Sequence, residues 1–483
     1  MHHALRPYIT AGIAIAGASL IAVPAIPPPA LNVEMHAVRL TSGDLGDGTA
    51  LVMGPSGFPI PPERYADAMN QLYLQPNGFT GSTQILPTPE GLYPVTGVKS
   101  LELDPSVAQG QQILDSAIQG QIAADPDHPV WVSGFSQSST VSSLTMSQLA
   151  EQGVPSDDVH FVLVGDPNNP NGGLLERFDV PINGASPTIP SLGITFSGAT
   201  PDDLYPTDIY TNEYDGFADF PRYPINLLAD INALLGIIFE HAVYAVEPDA
   251  NDLQDAILLP GSADLTGEGL TNYYMIPAET LPLLAPLQLL PVIGQPLYDL
   301  LEPDMRILVN LGYGSITDGW DPGPANVPTT FGVFPTDLNW GDVATAPGNG
   351  LQTGVTDAFQ QLLNPDNYKP TPLLDNPVLA PLVQAAYTMG LTDSPDASLL
   401  DLGKGALSGF AHFPISDANL LSSPTDLIND FTGTLSADYA TLLPVADTFN
   451  ALLTTLPSVA VSFITEQLAD GNLLNGIGEA VAA

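Results

Sequence analysis

The sequence predicts an α/β fold: a central, mostly parallel sheet with helices packed on it. Three observations point there. Beyond Ala30, short runs rich in Val, Leu and Ile alternate with longer stretches of helical periodicity. The helical pattern Ser106–Ala124 leads directly into the apolar run Val130–Ser133. That run is followed by a sharp turn and a second helical pattern, so that Val130–Leu144 reads as strand, turn, helix.

In chain order, the expected strands are Ala50–Met53, Thr83–Leu86, Val130–Ser133, Val159–Val164 and Thr207–Tyr214. A helix is expected over Pro62–Leu74, where Pro61 and Pro62 open the pattern and Tyr65, Met69 and Leu72 share one face. Further helices are expected at Ser106–Ala124 and Ile225–Phe239. Tyr273–Leu301 is apolar and punctuated by prolines, too broken for a membrane-spanning helix and too hydrophobic for a solvated loop. It is expected to cover something hydrophobic, as a lid or an acyl-chain groove would. Past about Thr345 the composition shifts to Leu, Asp, Pro, Thr and Ala, without a repeat, leaving room for short helices such as Ser458–Ala469. The expected organisation is therefore an N-terminal segment over 1–33, an α/β domain over 34–345 and an acidic, Pro/Leu-rich region over 346–483.

Composition removes several function classes. The 483 residues hold 53 Asp+Glu against 9 Lys+Arg, a net charge of −44, which repels a phosphate backbone and sets nucleic-acid binding aside. There is no Cys, which excludes disulfides, thiolate metal sites and cysteine nucleophiles. No H-E-x-x-H, EF-hand loop, P-loop or G-x-G-x-x-G is present, so no metal or nucleotide cofactor is expected. At the N-terminus, Arg6 precedes an uncharged stretch from Pro7 to Val33 whose span Tyr8–Ile26 is apolar. Pro24 interrupts it short of a full span, as in an export signal, while only Val23-Pro24-Ala25 approximates a cleavage site, so an uncleaved anchor stays open. Either way the expectation is an extracytoplasmic protein, secreted or held at the membrane or cell envelope.

The stretch that carries chemistry is Gly134-Phe135-Ser136-Gln137-Ser138. A nucleophile on a strained strand-to-helix turn needs small residues two positions before and after it, and Gly134 and Ser138 meet that need, although Ser138 departs from the Gly of G-x-S-x-G. This is the setting of an α/β-hydrolase nucleophile elbow, with Ser136 as nucleophile and the Gln137 N–H as a donor to a developing oxyanion. A base is then required downstream, in the order Ser, acid, His. His2, His3, His36 and His128 precede Ser136; His160 opens an expected strand too soon after it, and His412 lies in the C-terminal region. His241, at the end of Ile225–Phe239, remains. For the acid, Asp215 ends a strand and precedes Gly216, Asp219 lies in the same loop, and Asp166 sits in Gly165-Asp166-Pro167. Ser56, in the Gly-rich loop after the first strand, is the candidate for a second oxyanion donor, by side chain or backbone N–H.

The ordered motifs LVMGPSGFPIPPERY (51–65), GFSQSS (134–139), GDPNNPNGG (165–173), IYTNEYDGFADFP (209–221), HAVY (241–244) and NYYMIP with LPLLAPL (272–287) resemble the PE-PPE domain of mycobacteria and related actinobacteria. The resemblance covers roughly residues 45 to 320. It implies a serine α/β-hydrolase domain related to cutinases and lipases, with esterase activity on acyl esters. In some members it implies acyl transfer between cell-envelope glycolipids such as acylated trehaloses. It maps the family's serine onto Ser136 and its histidine onto His241, and leaves the acid between Asp215 and Asp219. The expected function is an exported serine esterase; an acyltransferase is the alternative, and a non-catalytic envelope interaction protein is the rival from another class.

Overall fold

A computed structural model describes residues 46–394, apart from 98, 182–183, 247–255, 291, 337 and 365–375. The expected N-terminal segment, His412 and Ser458–Ala469 lie outside the described residues.

Seven strands form the central sheet: β1 (Thr49–Val52), β2 (Ser82–Ile85), β3 (Val130–Phe135), β4 (Val159–Val164), β7 (Thr207–Asn212), β8 (Ile257–Leu258) and β9 (Thr271–Ile276). Their order is β2-β1-β3-β4-β7-β9-β8, and only β8 runs antiparallel to its neighbour. A separate antiparallel hairpin joins β5 (Thr188–Ile189) and β6 (Ile194–Thr195). Every residue of β3 and β7 is buried, as strands covered on both faces require.

Alternate residues feed two cores. On one face Leu51, Val132, Phe161 and Ile209 pack with Leu114 and Ile118 of the helix Leu103–Ala124 and with Val141 and Leu149 of the helix Gln137–Gln152. On the other, Val52, Trp131, Val164 and Tyr210 pack with Tyr65 and Met69 of the helix Glu63–Met69, whose path continues as a π-helical segment Asn70–Leu74. His160 lies in β4, bonded to Asp208 at 2.8 Å and stacked on Trp131 with centroids 4.0 Å apart, so it is part of the sheet.

One expectation needs correction. The apolar stretch from Tyr273 to Leu301 is not one covering segment: its start is β9, where Tyr273 and Met275 are buried in the sheet core. Alternation hid that strand, because Tyr274 and Ile276, on its other face, are also hydrophobic. Only the later part leaves the sheet, where Leu281, Leu284 and Tyr298 pack with Tyr214, Ala229 and Val309 in a small third core. The boundary expected after residue 345 falls inside the helix Trp340–Leu363. Its glycines let it lie against the helix Gly294–Asn310, where a Cβ at Gly354 would meet Leu300 O at 2.4 Å.

Candidate active site

Ser136 follows β3 and caps the helix Gln137–Gln152 with φ 59° and ψ −118°. Positive φ at a non-Gly residue costs of order 1–3 kcal/mol and persists only where the surroundings hold it. Here the Ser136 N–H donates to Val164 O on the neighbouring strand at 3.1 Å, while Ser139 and Thr140 N–H donate to Ser136 O. A Cβ at Gly134 would meet Ser138 O at 2.8 Å, so the turn needs glycine there. Ser138 stands where the motif usually has glycine and turns its hydroxyl back on the elbow. Its Oγ accepts from Phe135 N at 2.8 Å and donates to Phe135 O at 3.0 Å, which satisfies a fully buried polar group.

Asp215 and His241 arrive from later in the chain, after β7 and after the helix Leu227–Phe239. β7 ends at Asn212, and Tyr214 turns the chain at φ 67° so that Asp215 faces inward, fully buried. His241 opens a 3-10 turn directly after the helix Leu227–Phe239, the structural form of the expected Ile225–Phe239. Its Nδ1 lies 2.7 Å from Asp215 Oδ2 and its Nε2 lies 2.8 Å from Ser136 Oγ. A carboxylate only accepts, so the Nδ1 side carries the proton and Nε2 is left to accept from the serine. Asp215 is itself held by two more donors, Tyr244 OH at 2.9 Å to Oδ2 and Phe217 N–H at 2.9 Å to Oδ1. Rings of Phe135 and Phe217 flank the imidazole at centroid distances of 5.2 and 4.7 Å.

The other two candidate aspartates make no hydrogen bond to the imidazole. Asp219 accepts from Tyr214 N–H at 3.0 Å and braces the loop that presents Asp215; burial pushes its carboxyl well above the usual range. Asp166 accepts from Thr200 Oγ1 at 2.5 Å and Asn168 N–H at 3.0 Å, with burial raising it to about 6.

Gln137 and Ser56 are brought together. Gln137 Nε2 donates to Ser56 Oγ at 2.8 Å and to Gly91 O at 2.9 Å, while its Oε1 accepts from Ser106 Oγ at 2.7 Å. The side chain thus ties the loop after β1 to the helix start whose first N–H groups have no intrahelical acceptor. Behind that loop, Glu90 O accepts from Gly57 N–H at 2.7 Å, and the buried Glu90 carboxyl, bonded by Thr88, is pushed up to about 8 by burial.

Sequence reasoning missed Tyr244 and Gly165 as parts of this site. Tyr244 stands three residues after His241, which a 3-10 turn places on the same face. Gly165 has φ 53°, and a Cβ there would lie 2.7 Å from the Tyr244 ring and 3.0 Å from His241 Cε1. The G-D-P sequence was visible, but what crosses over it depends on a segment far along the chain.

A family model described as PE-PPE domain matches residues 80–314. The uncharacterized PPE family protein PPE28 of Mycobacterium tuberculosis is 38% identical over 471 residues, an alignment covering 94% of this chain and 67% of that protein. The chain belongs to the PE-PPE domain family. Two other relatives from the same organism are similar over the domain. Esterase PE16 is 43% identical over 320 residues, covering 65% of this chain and 56% of that protein. SL1278 acyltransferase Chp1 is 30% identical over 310 residues, covering 61% of this chain and 69% of that protein. Among solved structures, a cutinase-like protein from Cryptococcus sp. is 17% identical with a TM-score of 0.24, covering 36% of this chain and 79% of that one. That likeness is too low to carry weight, and the assignment of the α/β-hydrolase fold to this PE-PPE domain rests on its sheet order and elbow.

Proposed function

We propose that the protein is a serine esterase acting on acyl esters, with Ser136 as nucleophile, His241 as general base and acid, and Asp215 as the carboxylate that orients the imidazole. The observation that carries this is the unbroken line Ser136 Oγ, His241 Nε2, His241 Nδ1, Asp215 Oδ2, with contacts of 2.8 and 2.7 Å, ending on a strained elbow. Ser136 Oγ attacks the ester carbonyl and its proton passes to His241 Nε2. Charge on the carbonyl oxygen is met by the Gln137 N–H and Ser56, and collapse expels the alcohol, which takes the proton back from Nε2. A second acceptor, activated by the same nitrogen, then removes the acyl group from Ser136.

Water as that acceptor gives an esterase, as the name of the relative PE16 suggests. A sugar hydroxyl, for example of a trehalose glycolipid, gives an acyltransferase, and the relative Chp1 keeps this second reading in play. Ser136 is 8% exposed and His241 7%, so the reacting pair is shielded from bulk solvent. Intact mass spectrometry after incubation with a p-nitrophenyl acyl ester, with and without a trehalose glycolipid, tests the proposal. An adduct on Ser136 that leaves as free acid makes the protein an esterase, and a newly acylated glycolipid makes it an acyltransferase. No adduct, and no fluorophosphonate labelling of folded protein, would sink the catalytic reading in favour of a binding protein of the envelope.

The same proposal places the protein outside the cytoplasm, on the strength of Arg6 and the uncharged apolar run that follows it. Cell fractionation with N-terminal sequencing of the recovered chain tests this, and recovery of an intact chain in the cytosol would count against it.

A further inference from the structure

We propose that Glu213 and Arg306 are positioning residues for Asp215: together they hold the strained turn at Tyr214 that aims the carboxylate at His241. The inference rests on Asp215 orienting the imidazole, as proposed above.

The turn needs an external hold. Asp215 N–H donates to Asn212 O at 3.1 Å, which closes a turn over Asn212-Glu213-Tyr214-Asp215 with φ 67° at Tyr214. A turn with positive φ at its third residue ordinarily places Gly or Asn there, because other side chains fit that conformation poorly. A bulky residue keeps it only where the surroundings over-determine it.

Those surroundings come from later segments. Glu213 Oε2 accepts from Ala278 N–H at 2.8 Å, just beyond β9, and Oε1 accepts from Gly319 N–H at 2.7 Å. Gly319 also lies flat against the Tyr214 ring, where a Cβ would stand 2.0 Å from Cε1. The helix Gly294–Asn310 supplies Arg306 and Asn310, one turn apart on one face. Arg306 Nη1 donates to Tyr214 OH at 3.3 Å, and that hydroxyl donates to Asn310 Oδ1 at 2.7 Å. Arg306 also donates to Ala278 O at 3.3 Å and to Glu279 O at 3.2 Å, and it pairs with Glu302 one turn back. Its Nη1 lies 3.8 Å from Glu213 Oε2. Ala278 is therefore gripped on both sides, its N–H by Glu213 and its C=O by Arg306.

Charge explains why this pair is needed. The acids around Glu213 are Asp215 and Asp219 of its own loop and Glu240, the residue before His241; Tyr214 and Tyr313 add two phenols. Burial pushes the Glu213 carboxyl up from its ordinary value, and Arg306 with the amides of Ala278 and Gly319 opposes that rise. Glu240 is pushed up to about 8 by burial and then by Glu213 and Asp215, again with Arg306 opposing. Arg306 is thus the cation that keeps Glu213 ionised, and only the ionised carboxylate offers both oxygens to the two amides. Without the guanidinium Glu213 takes up a proton, one amide loses its acceptor, and the turn at Tyr214 relaxes.

The test uses the purified full chain and p-nitrophenyl butyrate, with kcat and KM read at about pH 7 and about pH 9. Glu213→Gln and Arg306→Gln are each expected to lower kcat at the lower pH by roughly 10- to 100-fold with KM little changed, because a carboxylate displaced by about 1 Å orients the imidazole poorly. In Arg306→Gln the ratio of kcat at the higher pH to that at the lower is expected to exceed the wild-type ratio at least about fivefold, as Glu213 ionises and regains both amides. The double variant has no carboxyl left to titrate at 213 and is expected to show the wild-type ratio. Arg306→Lys, which keeps the charge without the fork, is expected to stay within about tenfold of the wild-type kcat. Wild-type kcat in Glu213→Gln, or a loss in Arg306→Gln that does not recover with pH, would overturn the proposal. Should Arg306→Gln not fold, Glu213→Gln alone decides. Intact fluorophosphonate labelling of wild-type Ser136 leaves the esterase reading standing in each of these cases. If wild-type Ser136 fails to label, both fall together.

Discussion

At the scale of single residues, the two aspartates of one loop have different work. Asp215 receives three donors, His241 Nδ1, Tyr244 OH and Phe217 N–H, whereas Asp219 receives Tyr214 N–H and no contact from the imidazole. Asp215→Asn is expected to cut kcat/KM for a p-nitrophenyl ester by up to roughly ten-thousand-fold, because an amide can favour the wrong imidazole tautomer. Asp219→Asn is expected to keep most turnover and to lower the melting temperature instead. Steady-state kinetics on both variants decides the matter, and loss of turnover in Asp219→Asn alone would reverse the assignment. Tyr244→Phe removes a donor to a carboxylate and leaves Asn212 N–H without its hydroxyl acceptor. It is expected to lose about tenfold in kcat with KM little changed. Both Asp215 and Asp219 were legible in the sequence as candidates. What chose between them was not, because the choice is made by the φ of 67° at Tyr214 and by a tyrosine delivered from another segment.

Among the elements, the helix Leu227–Phe239 is the arm that delivers His241, and it is seated by close backbone approach rather than by side-chain interdigitation. A Cβ at Gly236 would lie 1.8 Å from Tyr214 O, in the very loop that carries Asp215. Gly236→Ala is expected to destabilise the fold by about 1–3 kcal/mol, the usual cost of overpacking. It should also slow fluorophosphonate labelling, because the base and the acid are pushed apart together. Urea unfolding and labelling rates measure the two effects, and a variant that labels at the wild-type rate would show that the helix seat does not govern the site. The strands β1, β3 and β4 were visible in the sequence as short, largely apolar runs between turn residues, as strands of a covered sheet are, whereas β2 (Ser-Thr-Gln-Ile, half-exposed at the sheet edge) and β7 (Thr-Asp-Ile-Tyr-Thr-Asn) were legible despite their polar residues. β9 was not, since its Tyr-Tyr-Met-Ile merges with the apolar, proline-broken stretch after it, and the two-residue β8 is too short to leave any pattern. The helix Trp340–Leu363 escaped for a related reason: it contains Pro347 and several glycines, residues that read as coil and here permit close packing on its neighbour.

For the whole molecule, acidity dominates. A net charge of −44 is joined by buried carboxyls that hold protons well above the usual carboxylate range, Glu90 to about 8 and Asp166 to about 6. Each binds a proton in the folded state that the unfolded chain releases near its ordinary value of about 4. Their stabilisation is thus complete below that value and is lost as pH rises through about 6 for Asp166 and about 8 for Glu90. The urea midpoint is expected to be higher at about pH 5.5 than at about pH 8.5, with self-repulsion among the acidic groups acting in the same direction. A midpoint that rises with pH would show that these carboxyls are ionised in the folded protein. Finally, Ser136 stands at the end of β3 and Asp215 just past β7, with β4 between them and His241 on a later arm. No segment of the chain holds two of the three alone except the stretch from Asp215 to His241. The line from Ser136 to Asp215 is therefore a thermometer for tertiary order: a covalent probe of Ser136 should go silent at the temperature where strand registry is lost, even while the helices on either side still give their full circular dichroism.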